Sequence, residues 1–80
     1  MSEPTQTSFF HGEAVIEAMR HRGPPTAYRT IGETLILEWE SRDRLTRFSI
    51  DGSDIKKQQF CDGELFSEEK IETELITGDA

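Results

Sequence analysis

Residues 27–50, AYRTIGETLILEWESRDRLTRFSI, decide the fold. Residues 27–31 alternate, Gly32-Glu33 suits a two-residue turn with glycine first, and residues 34–40 set Leu35, Leu37 and Trp39 against Glu38 and Glu40. A period of two is the mark of a strand with one buried face, so this half of the stretch predicts a β-hairpin. A polar turn over residues 41–43 leads into residues 44–50, where Thr46, Phe48 and Ile50 share one face, and Asp51-Gly52 closes the segment. The middle of the chain therefore reads as a three-stranded antiparallel meander.

Outward to the N-terminus the period changes. Over residues 12–22, Val15, Ile16 and Met19 recur at helical spacing, and Gly23-Pro24-Pro25 is a firm stop. A helix is expected there, led in by Ser8 or the Phe9-Phe10 pair. Residues 1–8 are polar, contain Pro4 and carry no apolar periodicity, which predicts a flexible tail.

Outward to the C-terminus the pattern is less decisive. Residues 53–60 fit either a short helix capped by Ser53 or a fourth strand with Ile55 and Phe60 on opposite faces; the helix is preferred. Ser67 then resembles an N-cap, with Glu68 and Glu69 in the first turn, Ile71 and Leu75 four apart and Gly78 as the stop. This predicts an acidic helix over residues 67–77, with a strand through Ile71, Thr73, Leu75 and Thr77 as the competing reading. Residues 78–80 form a flexible end. No internal repeat is apparent.

The expected fold is thus α+β: one domain over residues 9–77, with an N-terminal helix packed on a three- to four-stranded antiparallel β-meander and a short acidic C-terminal helix. Val15, Ile16, Met19, Leu35, Leu37, Trp39, Phe48 and Ile50 form the expected core. Tyr28, Phe60 and Phe66 are assigned to the interior as well, because 80 residues need almost every large apolar side chain they have. A chain of this length buries only about 60% of its unfolded surface, so stability is marginal and association with a partner would add to it.

Charge narrows the function. Of the net charge of -7, the first fifty residues contribute -1 and the last thirty contribute -6. Such a surface is repelled by nucleic-acid phosphates and anionic lipids, which leaves basic proteins as natural partners. The single cysteine, Cys61, permits no internal disulfide and fits a reducing compartment. With no basic start followed by an apolar run and no long apolar stretch, a cytoplasmic protein that neither crosses nor binds a membrane is expected.

Chemical motifs are weak. Glu13, Glu17 and His21 lie four residues apart and would form one helix ridge, but the same spacing is that of a solvated helix with Glu17 paired to His21 or Arg20. His11, just before the expected helix, reads as a surface or capping residue, far from His21. Cys61 reads as a small half-buried hydrophobe beside Phe60. Neither a metal-ligand cluster nor a glycine-rich phosphate loop is present, so no metal, cofactor or catalytic residue is assigned. Arg42, Arg44 and Arg47, joined by Arg29, are interleaved with Glu38, Glu40 and Asp43, a pattern of cross-strand ion pairs that would leave the molecule dipolar, with a mixed hairpin and an acidic C-terminal end.

The remaining candidate is the acidic segment: Asp62, Glu64, Glu68, Glu69, Glu72 and Glu74. On a helix, carboxylates about 5 to 6 Å apart approximate phosphate spacing and could fill a cleft built for nucleic acid. The leading expectation is a small, non-enzymatic inhibitor or modulator of a basic, nucleic-acid-binding protein, which itself touches no nucleic acid. The alternative is an accessory subunit or homodimer joined through Phe9, Phe10 and an apolar sheet face.

Overall fold

The computed structural model describes residues 3–71. A helix α1 (Gln6–Ala18) and a 3-10 turn (Arg20–Arg22) precede five strands, β1 (Ala27–Ile31), β2 (Thr34–Ser41), β3 (Arg44–Asp51), β4 (Asp54–Cys61) and β5 (Glu64–Ile71). The strands form one antiparallel sheet in the order β1-β2-β3-β4-β5, and α1 packs over β2 and β3.

The α+β class, the helix on the meander and the first three strands are as the sequence predicts. Two expectations fail. Residues 53–60, read as a helix, lie in the third turn and β4, and residues 67–71, read as the start of an acidic helix, belong to β5. The remainder of that expected helix, including Glu72, Glu74 and Leu75, lies outside the described residues. An isolated helix this short is marginal in water, whereas each of these segments gains a full antiparallel partner: β4 pairs with β3 from Asp51↔Asp54 to Arg44↔Cys61, and β5 continues the ladder.

A regularity of ten residues accounts for the extra strands. The turns fall at 32–33, 42–43, 52–53 and 62–63, so eight-residue strands β2 to β5 are joined by two-residue loops. Such loops need a left-handed residue to match the twist of the flanking strands. Gly52 supplies it with φ 63°, and in the last turn Asp62 (φ 55°) and Gly63 (φ 82°) are both left-handed.

The helix begins earlier than its apolar residues indicate, inside the stretch read as a tail. Thr5 caps it by accepting from the Ser8 N–H at 3.2 Å. Its α-helical part ends at Ala18, and the 3-10 turn carries the chain to Gly23. Its buried face is Ser8, His11, Gly12 and Val15, with Ile16 and Met19 packed at the margin. Two of these polar side chains hold the third turn: Ser8 Oγ accepts from the Gly52 N–H at 2.8 Å, and His11 Nδ1 lies 2.8 Å from the Gly52 carbonyl oxygen. His11 is therefore a buried tie between helix and sheet, not a surface residue.

Under α1 the core comprises Val15, Leu35, Leu37, Trp39, Phe48, Ile50 and Ile55. Trp39 and Phe48 meet edge to face at 5.8 Å, and Trp39 Nε1 donates to the Gly23 carbonyl at 2.9 Å, fixing the chain between helix and β1. Tyr28 and Phe66, expected inside, are exposed, and Phe60 is half-buried. Both exposed rings lie on strands that the helix does not cover.

Gly12 marks the closest approach of helix and sheet: a Cβ there would stand 2.6 Å from Leu35 Cδ2. Leu35 is fully buried and has little room to yield. Gly12→Val is expected to lower stability by about 1–3 kcal/mol through overpacking, read as a lower urea midpoint at unchanged slope. A neutral result would mean that the helix rides higher on the sheet.

Candidate functional site

The β4–β5 hairpin carries the described members of the acidic set. Pairing runs from Ile55↔Ile71 to Gln59↔Ser67, then shifts to Phe60↔Leu65 and Cys61↔Glu64, leaving Phe66 as the extra residue of a bulge. The bulge separates two exposed apolar side chains. Leu65 shares the open face of the sheet with Phe60, while Phe66 lies on the helix side under the Arg44 guanidinium, 5.8 Å from its ring centroid. Leu65 is 48% and Phe66 54% exposed.

Around them residues 60–69 hold four acids, Asp62, Glu64, Glu68 and Glu69, and no base. All four are exposed. The hairpin's bases, Lys56, Lys57 and Lys70, lie toward its other end: Lys70 Nζ is 3.5 Å from Asp54 Oδ1 and Lys56 Nζ 3.9 Å from Glu68 Oε2. Glu68 also accepts from Gln58 Nε2 at 2.7 Å, and Glu69 stands opposite Lys57.

The strand changes what these carboxylates can do together. In β5 successive side chains alternate between faces, so Glu68 faces the open side and Glu69 the helix side. The single carboxylate ridge expected of a helix is not formed by residues 64–71, and the argument from helical phosphate spacing falls with it. The expected dipole changes too. The β2–β3 and β4–β5 turns are neighbours, joined by the Asp62 N–H donating to the Asp43 carbonyl at 2.8 Å, so the acids sit beside Arg42 and Arg44. At the same corner the Cys61 thiol lies 3.9 Å from Asp43 Oδ2, and the ligand atoms of Asp43, Cys61 and Asp62 fall within 4.8 Å of one another.

Other sequence candidates separate. Arg47 Nε is 2.7 Å and Arg29 Nη2 3.4 Å from Glu38 Oε2, the cross-strand pairing expected of this face, and Arg47 also lies 5.0 Å from the Phe60 ring centroid. This face carries the ion-paired cluster at its centre with Ile31 and Leu65 exposed at its two edges. Glu17 pairs with Arg20 at 3.0 Å, and His21 stands in the 3-10 turn beyond the end of α1, so Glu13, Glu17 and His21 do not make one helical ridge. Phe9 and Phe10 are exposed at 38% and 59%, with Phe10 edge-on to His11.

Sequence reasoning missed Leu65 as a surface residue and placed Phe66 in the core. The signal was Asp62-Gly63, a strong two-residue hairpin pair, which would have set Leu65 and Phe66 at the start of an outer strand. Among the described residues no helix is long and apolar enough to cross a membrane. Comparison with known protein families, with curated proteins and with solved structures finds no significant match to this chain.

Proposed function

We propose that this chain is a non-enzymatic binding protein that inhibits or modulates a basic protein, which it grips with the tip of the β4–β5 hairpin; the strand leaves no argument from phosphate spacing for the narrower class of nucleic-acid-binding partners. The observation that carries this reading is the exposed pair Leu65 and Phe66 set among Asp62, Glu64, Glu68 and Glu69. Leu65 on one face of the hairpin tip and Phe66 on the other, each with acids nearby, would suit a partner that clasps the tip from both sides, with apolar contacts supplying affinity and charges supplying steering and selectivity. Four exposed acids with no base between them in sequence favour a basic counterpart, although Arg42 and Arg44 stand at the same corner and Lys56 lies 3.9 Å from Glu68. Glu72 and Glu74 extend the acidic run in sequence.

Changing Glu68, Glu69, Glu72 and Glu74 together to Gln is expected to weaken binding and flatten its dependence on salt. The test is capture by the tagged protein from nuclease-treated lysate, with wild type and variant washed at low and high salt. A basic protein retained by wild type at low salt, released at high salt and poorly held by the variant supports the reading. Equal retention by both proteins contradicts it.

The exposure of Phe9 and Phe10 supports a second reading, an accessory subunit or homodimer that associates through the start of α1. Apolar association persists or strengthens as salt rises, the opposite of the first reading.

A further inference from the structure

We infer that the pocket between the 3-10 turn and the β4–β5 bulge is a binding site for a small phosphate group. It has a volume of 200 Å³ and is bounded by Arg22, Ser41, Arg44, Thr46, Gln59 and Phe66, together with parts of Leu45 and Phe60. Among the described residues no carboxylate lines it. The pockets beside it and at the opposite end of the sheet do include acids, Glu40, Asp43 and Asp62 in one and Asp51 and Asp54 in the other, whereas the apolar pocket under the helix, like this one, has none but also offers no arginine.

Its two arginines differ from Arg29 and Arg47 of the sheet. Arg29 and Arg47 are neutralised by Glu38, whereas Arg22 and Arg44 make no ion pair among the described residues. Arg22 Nη1 donates to Thr46 Oγ1 at 3.4 Å, which fixes the side chain and leaves the threonine hydroxyl its own proton to donate. The Arg44 Cζ lies 5.8 Å from the Phe66 ring centroid, and its side chain donates to no protein acceptor among the described residues, so a bidentate acceptor has N–H groups to bind. Ser41 and Gln59 add neutral donors. Two guanidiniums that make no ion pair among the described residues, with hydroxyl and amide donors, suit a doubly charged oxyanion, while Arg44 also borders the adjoining pocket that holds Glu40, Asp43 and Asp62; the exposed Phe66 ring offers a stacking surface to a planar group attached to the anion.

The site uses none of the hairpin carboxylates and does not rest on the proposed function, with which it shares only Phe66. Its test is titration of isotope-labelled protein with inorganic phosphate and, separately, phenyl phosphate, against sodium chloride at matched ionic strength. Both phosphates are expected to give saturable NMR shifts at the Arg22 and Arg44 side chains, Thr46 and Gln59. The double variant Arg22→Gln/Arg44→Gln should lose them, while Arg42→Gln, outside this pocket, should keep them. Tighter binding of phenyl phosphate than of phosphate assigns the site to phosphate carried on a ring; equal binding assigns it to the free ion. Linear shifts that chloride reproduces, or saturation retained by the double variant, would overturn the inference.

Discussion

Trp39→Ala is expected to lower the unfolding free energy by about 3–5 kcal/mol, because truncating a buried tryptophan removes its transfer free energy and leaves a cavity. Trp39 is only 2% exposed, abuts Phe48 and joins β2 to the loop after the helix through its bond to Gly23. Its loss uncouples three parts of the fold at once. Trp39→Phe separates the contributions: the apolar contact largely remains, the indole donor goes, and about 1 kcal/mol of the loss should be assignable to the hydrogen bond. Urea unfolding followed by circular dichroism measures both. Wild-type stability in Trp39→Ala would remove this residue from the core.

That expectation could be written from sequence because β2 and β3 alternate over most of their length, Ile36 and Leu45 being the apolar exceptions on the other face. Leu35, Leu37 and Trp39 face α1 with Thr46, Phe48 and Ile50, and Val15 meets them from the helix. Where side chains carry no alternation, the sequence was silent or misleading. Residues 56–59 are Lys-Lys-Gln-Gln and residues 67–70 are Ser-Glu-Glu-Lys, so neither segment advertises a buried face, and local propensity pointed to helix. Pairing with β3 decided otherwise. The usable clue was the ten-residue spacing of the turns, which depends on Arg42 and Asp62 entering left-handed geometry as well as on glycine. The start of α1 was hidden for a similar reason: its inward stripe is Ser8, His11 and Gly12, whose roles are hydrogen bonding to Gly52 and close approach to Leu35 rather than apolar burial.

The candidate site was legible in composition but not in arrangement. The acids of residues 62–69 were recognisable as a group, and a strand distributes them over two faces where a helix would have aligned them. Phe66 was assigned inward on size alone. It lies exposed because α1 covers β2 and β3, and the bulge at the outer hairpin sets it beside Arg44.

The second large effect follows from that exposure. Leu65→Ser/Phe66→Ser is expected to leave the protein folded with a stability loss of about 1 kcal/mol, since both side chains are half exposed and Phe66 gives up its contact with Arg44. Binding should fall sharply: if either side chain occupies the centre of the interface, its loss costs about 2 kcal/mol, roughly thirtyfold in Kd. The pairing of a small stability loss with a large affinity loss distinguishes an interface from a structural role. Calorimetry of the purified partner against wild type and variant reads the affinity, and thermal unfolding reads the stability. Unaltered affinity would move the interface away from the hairpin.

Site-specific photocrosslinking most directly tests whether the acidic hairpin contacts a basic protein. A photoreactive side chain is placed at Leu65 in one sample and at Phe10 in another, both exposed positions, and each is irradiated in lysate at low and high salt. Crosslinking from position 65 to one basic protein, suppressed at high salt and absent from position 10, is the predicted result. Crosslinking from position 10 alone, to a second copy of the chain or to a partner held equally at high salt, would contradict the account.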